Sequence, residues 1–75
     1  MMNLEYHTFV GDGVTTDFVF PYSFKSGSLL LFRNGALAKK GERYNELPDC
    51  SGISFPTAPA GGDHEDEFVA YYAKA

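Results

Sequence analysis

The sequence predicts an all-β fold, a small antiparallel β-sandwich or partly open barrel, on three observations. Eight glycines and four prolines punctuate short apolar runs at intervals of roughly ten residues, the spacing of strands joined by turns. Phe18, Phe20, Tyr22 and Phe24 share one parity, so an extended backbone aims all four at one face. No window of helical length keeps an apolar period of 3.6 residues. The best of them, Ser28 to Lys40, is broken by Asn34-Gly35, the strongest short hairpin signal.

The elements follow in order. Glu5–Val10 alternates loosely and reads as a first strand. Gly11-Asp12-Gly13 is a turn, because glycine tolerates positive φ and Asp12 can bond its side chain to the local backbone. Thr15–Tyr22 is the aromatic strand, and Pro21, which has no ladder donor, ends it or places it at an edge. Lys25–Ser28 is a loop. Leu29–Arg33 and Ala36–Lys39 form a hairpin around a type I′ turn at Asn34-Gly35. Arg43–Leu47 and Ile53–Phe55 are short strands around the turn Pro48–Gly52, and Pro56–Asp63 is a connection with two prolines and two glycines. Phe68–Ala73 closes the chain as a strand with apolar residues on both faces, hence central or covered by a partner. The expected core is Phe18, Phe20, Leu30, Phe32, Phe55 and Phe68.

Seventy-five residues make one domain, residues 1–75, of a size that commonly recruits disulfides, metals or neighbouring subunits for stability. Cys50 is the only cysteine, which rules out an intramolecular disulfide and fits a reducing compartment. The net charge is −4 and the six basic residues are scattered, against the basic face that a nucleic-acid binder needs. No apolar run reaches the roughly 20 residues of a membrane span, and Met1–Tyr6 lacks the basic start and apolar middle of a signal peptide.

No constellation points to catalysis, and the chain is expected not to be an enzyme and to use no cofactor. Cys50 has neither histidine near it in sequence and reads as a loop or core residue. His7 reads as a strand histidine, and Asp12 and Asp17 as turn-capping carboxylates. No serine lies in a nucleophile elbow, and Gly11-Asp-Gly13 is too short for a phosphate-binding fingerprint. Asp63, Glu65 and Asp66, in the run Asp63-His-Glu-Asp-Glu67, are the weak candidates for a hard divalent cation. Their spacing does not match an EF-hand loop, and a solvated turn is the preferred reading. Of the aromatics, tyrosines such as Tyr6, Tyr22, Tyr44 and Tyr71 suit a contact surface, since their rings are apolar while their hydroxyls tolerate water. Tyr22, Phe24, Tyr44, Tyr71 and Tyr72 are the candidate interface residues.

Taken in order, Gly11-Asp-Gly-Val-Thr-Thr-Asp-Phe-Val-Phe20, Pro21-Tyr22, Leu29–Phe32 running into Asn34-Gly35-Ala-Leu37, Tyr44–Leu47, Ile53-Ser-Phe55 and Ala58-Pro-Ala-Gly-Gly-Asp63 cover most of the chain. This succession resembles the small β-rich module at the N-terminal, virion-proximal end of podovirus-type tail fibres and in related phage tail and head-appendage proteins. The chain departs from that pattern in ending at Ala75 without a fibre shaft and in carrying the acidic segment Asp63–Glu67. The resemblance implies a non-enzymatic virion protein, assembled in the host cytoplasm. It would dock to tail, neck or capsid proteins as a fibre anchor, adaptor, decoration or head-fibre protein, and form a homo-oligomer such as a trimer. The alternative is a carbohydrate- or cation-binding module for host recognition, resting on the tyrosines and the acidic segment.

Overall fold

The computed structural model describes residues 4–75. Its strands are β1 (Leu4–Val10), β2 (Asp17–Val19), β3 (Leu30–Arg33), β4 (Ala36–Ala38), β5 (Asn45–Glu46), β6 (Gly52–Ser54) and β7 (Glu67–Ala73), with a 3-10 turn at Gly62–His64. Two antiparallel sheets form, one of order β1-β7-β3-β4 and one of order β2-β6-β5. The fold is therefore the expected all-β sandwich. The closing strand is central, as its two apolar faces require.

The expected strands lie close to where the turn residues place them: β1 and β7 each begin one residue earlier, β6 is shifted back by one to start at Gly52, and β2 to β5 pair over shorter spans. Asn34 and Gly35 have φ of 51° and 86°, both positive as a type I′ turn demands. The aromatic strand pairs only over Asp17–Val19, because the chain bends at Pro21 and Tyr22. Phe20 and Phe24 nevertheless stay inside. Their N–H groups donate to the carbonyls of Ser51 (2.8 Å) and Cys50 (3.0 Å), and Phe24 bridges to Lys74 across the sheet. Tyr22, at the bend, turns outward.

The core between the sheets is Phe20, Phe24, Leu29, Leu31, Tyr44, Ile53, Phe55, Phe68, Ala70 and Tyr72, with Phe9, Phe18, Ala38 and Cys50 packed against it. Its aromatics stack within and across the layers: Phe9 lies 4.9 Å from its cross-strand neighbour Phe68 and 4.7 Å from Phe18 of the other sheet, and Phe20 lies 5.5 Å from Tyr72, centroid to centroid. Two expected core residues are corrected. Leu30 is exposed and Phe32 half-buried, while Leu29 and Leu31 point inward. In Leu29-Leu-Leu-Phe32 both parities are apolar, so the run itself cannot choose. Pairing with β7 chooses, setting Leu31 opposite the buried Ala70.

Close backbone approach explains Gly11 and Gly61, while Gly13 and Gly62 hold positive φ of 78° and 81°. The Gly11–Gly13 and Ala58–Gly62 segments run against each other, the Gly13 N–H donating to the Pro59 carbonyl at 2.7 Å. A Cβ on Gly61 would lie 2.5 Å from the Asp12 backbone, and one on Gly11 would lie 2.5 Å from the Ala60 carbonyl oxygen. These segments, far apart in sequence, are one structural joint.

Candidate functional site

Alternation sorts the four-stranded sheet into two unlike faces. Along β1, Glu5, His7 and Phe9 are half-buried toward the second sheet, while Leu4, Tyr6, Thr8 and Val10 are exposed on the other side. Register carries this outer set across the sheet. Tyr6 lies opposite Tyr71, which lies opposite Leu30; Thr8 lies opposite Val69, then Phe32, then Leu37. Leu4 is 74% exposed, Tyr6 68%, Leu37 62%, Leu30 53% and Tyr71 50%. The rings of Tyr6 and Tyr71 stand 6.2 Å apart, and Phe32 meets Tyr71 edge-on at 5.9 Å. Among the described residues only Glu67, opposite Val10, brings a charge to the paired part of this face.

Hollows lie on both sides of the tyrosine pair. One of about 420 Å³ is flanked by Thr8, Val10, Glu67 and Val69, and one of about 350 Å³ by Leu4, Ser28, Leu30 and Tyr71. Ridges of aromatic side chain between shallow apolar hollows give shape as well as hydrophobicity. Physically, the arrangement suits protein contact: large rigid rings carrying water-tolerant hydroxyls, with few charges to desolvate.

Of the five candidate interface residues, the structure leaves two at the surface. Tyr71 stands at the centre of the outer face. Tyr22 is 44% exposed at the bend, with the Lys74 ammonium 4.0 Å from its ring centre. Phe24, Tyr44 and Tyr72 are corrected: each is 2% exposed and belongs to the core. Burial raises the Tyr44 hydroxyl pKa, helped by the charge of Glu46, and burial with the charge of Glu5 raises that of Tyr72. The rest of the face is supplied by Leu4, Leu30 and Leu37, which the sequence reading missed, and by Tyr6, one of the tyrosines expected to suit a contact surface. The signal was present in β1, where even positions are Leu, Tyr, Thr and Val and odd ones are Glu, His and Phe, but both sets look half apolar.

The acidic candidates separate. Asp66 is buried, and its carboxylate accepts from Arg33 Nη2 (2.6 Å), Asn34 Nδ2 (3.0 Å) and the Ala60 N–H (3.1 Å). The hydrogen bonds from Arg33 and then Asn34 hold its pKa below the usual carboxylate range. Asp63 and Glu65 are exposed around the 3-10 turn. Among the described residues no group of three acidic, histidine or cysteine side chains is placed to hold a metal ion.

Several further titratable groups are held by the fold. Asp12 caps its turn, accepting from the N–H groups of Val14 (2.9 Å) and Thr15 (2.6 Å) and from the Thr15 hydroxyl, which pulls its pKa down to about 2. His7 lies between the rings of Phe9 and Phe20, and burial lowers its pKa. Cys50, with φ of 57°, is half-buried in a turn. Glu46 accepts from the Ser26 hydroxyl and the Gly27 N–H, pinning that loop to β5.

No family model, curated protein or solved structure matches the chain.

Proposed function

We propose that this chain is a non-enzymatic structural module of a bacteriophage particle that docks onto another virion protein of the tail, neck or capsid. The observation that carries this reading is the apolar outer face of the four-stranded sheet, which none of the described residues covers. Taking roughly 150–250 Å² for a large aromatic side chain and somewhat less for an aliphatic one, the exposures of Leu4, Tyr6, Val10, Leu30, Leu37 and Tyr71 leave on the order of 600 Å² of apolar surface there. That is at the top of the range for the largest patch on a monomer, about 300–600 Å², on a chain of only 75 residues. It approaches the roughly 800 Å² per partner of a standard interface. Covering it is the simplest use the fold offers. The class of partner rests on the resemblance of the motif order to virion-proximal tail-fibre modules.

Particles purified from host cells that express the chain test this reading. Mass spectrometry is expected to find it at a fixed stoichiometry to the major virion proteins, and immunogold labelling to place it at one position on the particle. A Tyr71→Asp chain, folded but with a charge at the centre of the face, is expected to be missing from the particles. Absence of the wild-type chain from purified particles overturns the reading.

A further inference from the structure

The docking reading concerns a face; the edges of the same sheet carry a separate inference. Sheet edges in natural proteins are blunted by brevity, proline, lysine or bulges, because an open row of N–H and C=O groups templates pairing with another chain. Three of the four edges here are blunted. β4 is three residues long and runs into Lys39 and Lys40; β2 is three residues long and is followed by Pro21; β5 has two residues. β1 is different. It has seven residues, contains neither proline nor lysine, and among the described residues no strand pairs with its outer side.

Two hydrogen bonds fix which backbone groups that edge offers. The Gly11 N–H donates to the Asp66 carbonyl (2.8 Å), one step past the β1–β7 ladder, and the Asn34 N–H donates to the Glu67 carbonyl (2.8 Å), one step past β3–β7. Bonded pairs alternate along an antiparallel ladder. Glu5, His7 and Phe9 therefore bond to β7, while Leu4, Tyr6, Thr8 and Val10 direct their N–H and C=O groups away from it. The residues with free backbone groups are also those whose side chains lie on the outer face.

We propose that β1 pairs antiparallel with β1 of a second copy of this chain, about a two-fold axis at His7. This register sets Leu4 against Val10 and Tyr6 against Thr8 of the other copy, uses every free group of the strand, and opposes no like-charged side chains. The charged side chain of β1, Glu5, falls opposite Phe9. The two four-stranded sheets become one eight-stranded sheet, and the two outer faces become one continuous surface. The inference deepens the docking reading by naming the unit that docks. It departs from the trimer that the motif resemblance implies, since an isologous edge contact closes at two copies.

The test uses the full 75-residue chain in isolation. Sedimentation at micromolar concentration is expected to give twice the mass of 8.3 kDa. Amide exchange is expected to show the Tyr6, Thr8 and Val10 N–H groups protected as strongly as those of His7 and Phe9. Thr8→Pro removes a free-edge donor and no internal bond, so its mass is expected to halve with the β far-UV signal retained. A synthetic chain N-methylated at Thr8 gives the same readout without the constraint of the proline ring. A wild-type monomer or trimer overturns the proposal. So does a dimer whose Tyr6 and Thr8 amides exchange freely, which is the result for faces stacked on each other. The purified chain involves no particle, so a failure here leaves docking standing, and absence from particles leaves the dimer standing.

Discussion

The Arg33 guanidinium meets the Asp66 carboxylate at 2.6 Å and joins the end of β3 to the segment that enters β7, 33 residues on in sequence. Arg33 ends β3, Asn34 begins the hairpin turn, and Ala60 belongs to the connection that enters β7; all three donate to the same carboxylate. The joint is closed by Asn34, whose Oδ1 accepts from the Glu67 N–H at 2.8 Å. Removing the acid leaves several donors unpaired, one of them the N–H of a residue between Pro59 and Gly61. Asp66→Ala is therefore expected to cost about 1–3 kcal/mol in urea unfolding. Asp63→Ala and Glu65→Ala, at exposed positions of the same acidic run, are expected to stay within about 0.5 kcal/mol. Equal effects at all three positions would show that the run acts as one cluster.

Acid sensitivity follows from the same carboxylates. Asp66 and Asp12 both have folded-state pKa values below the ordinary value of 3.8, that of Asp12 at about 2. The unfolded chain therefore takes up protons first as pH falls. The stabilisation is complete above about pH 5 and is lost as pH falls through the folded-state values. Urea midpoints measured between pH 5 and 2 are expected to fall, and less steeply in Asp12→Asn and Asp66→Asn. Parallel slopes in wild type and both variants would remove the carboxylates from the account.

Gly52 sets a steric prediction. It lies opposite Val19 in the β2–β6 pair, and a Cβ there would lie 1.9 Å from the Phe18 carbonyl oxygen. Backbone cannot retreat as a flexible side chain can, so Gly52→Ala is expected to separate the two strands and destabilise by at least the roughly 1–3 kcal/mol of an overpacked core. Ser54→Ala, two residues on in the same strand, is the control. An unchanged denaturation midpoint in Gly52→Ala would show that β2 does not hold this register.

Much of the fold was legible because turn chemistry is local. Asn34-Gly35 announced its hairpin, and Gly11–Gly13 and Pro56–Asp63 bounded their strands. Parity was legible only where the two faces differ in polarity. In Leu29–Phe32 they do not, and the choice came from Ala70 across the sheet. The outer face was the hardest part to foresee. Tyr6, Leu30, Leu37 and Tyr71 belong to four different strands, and only register assembles them. Tyrosine was a poor guide for the same reason: Tyr44 and Tyr72 fill the core, while Tyr22 and Tyr71 reach water.

That division of the aromatics gives a prediction with opposite signs for fold and contact. Phe24 is 2% exposed and lies 6.0 Å from both Phe20 and Tyr72, so Phe24→Ala empties a fully buried aromatic position and is expected to cost about 3–5 kcal/mol. Tyr71 is half exposed, and its ring touches Tyr6 and Phe32 on the solvent side only. Tyr71→Asp is expected to lower the unfolding free energy by about 1–3 kcal/mol, the scale of two lost aromatic pairs at roughly 0.5–1.5 kcal/mol each, while abolishing incorporation into particles. Stability and incorporation measured on both variants separate the roles. Folding governs both readouts at Phe24, whereas at Tyr71 incorporation is expected to fail in a chain that still melts cooperatively. If Tyr71→Asp unfolds the chain as severely as Phe24→Ala, the outer face is part of the core and something in the folded chain covers it.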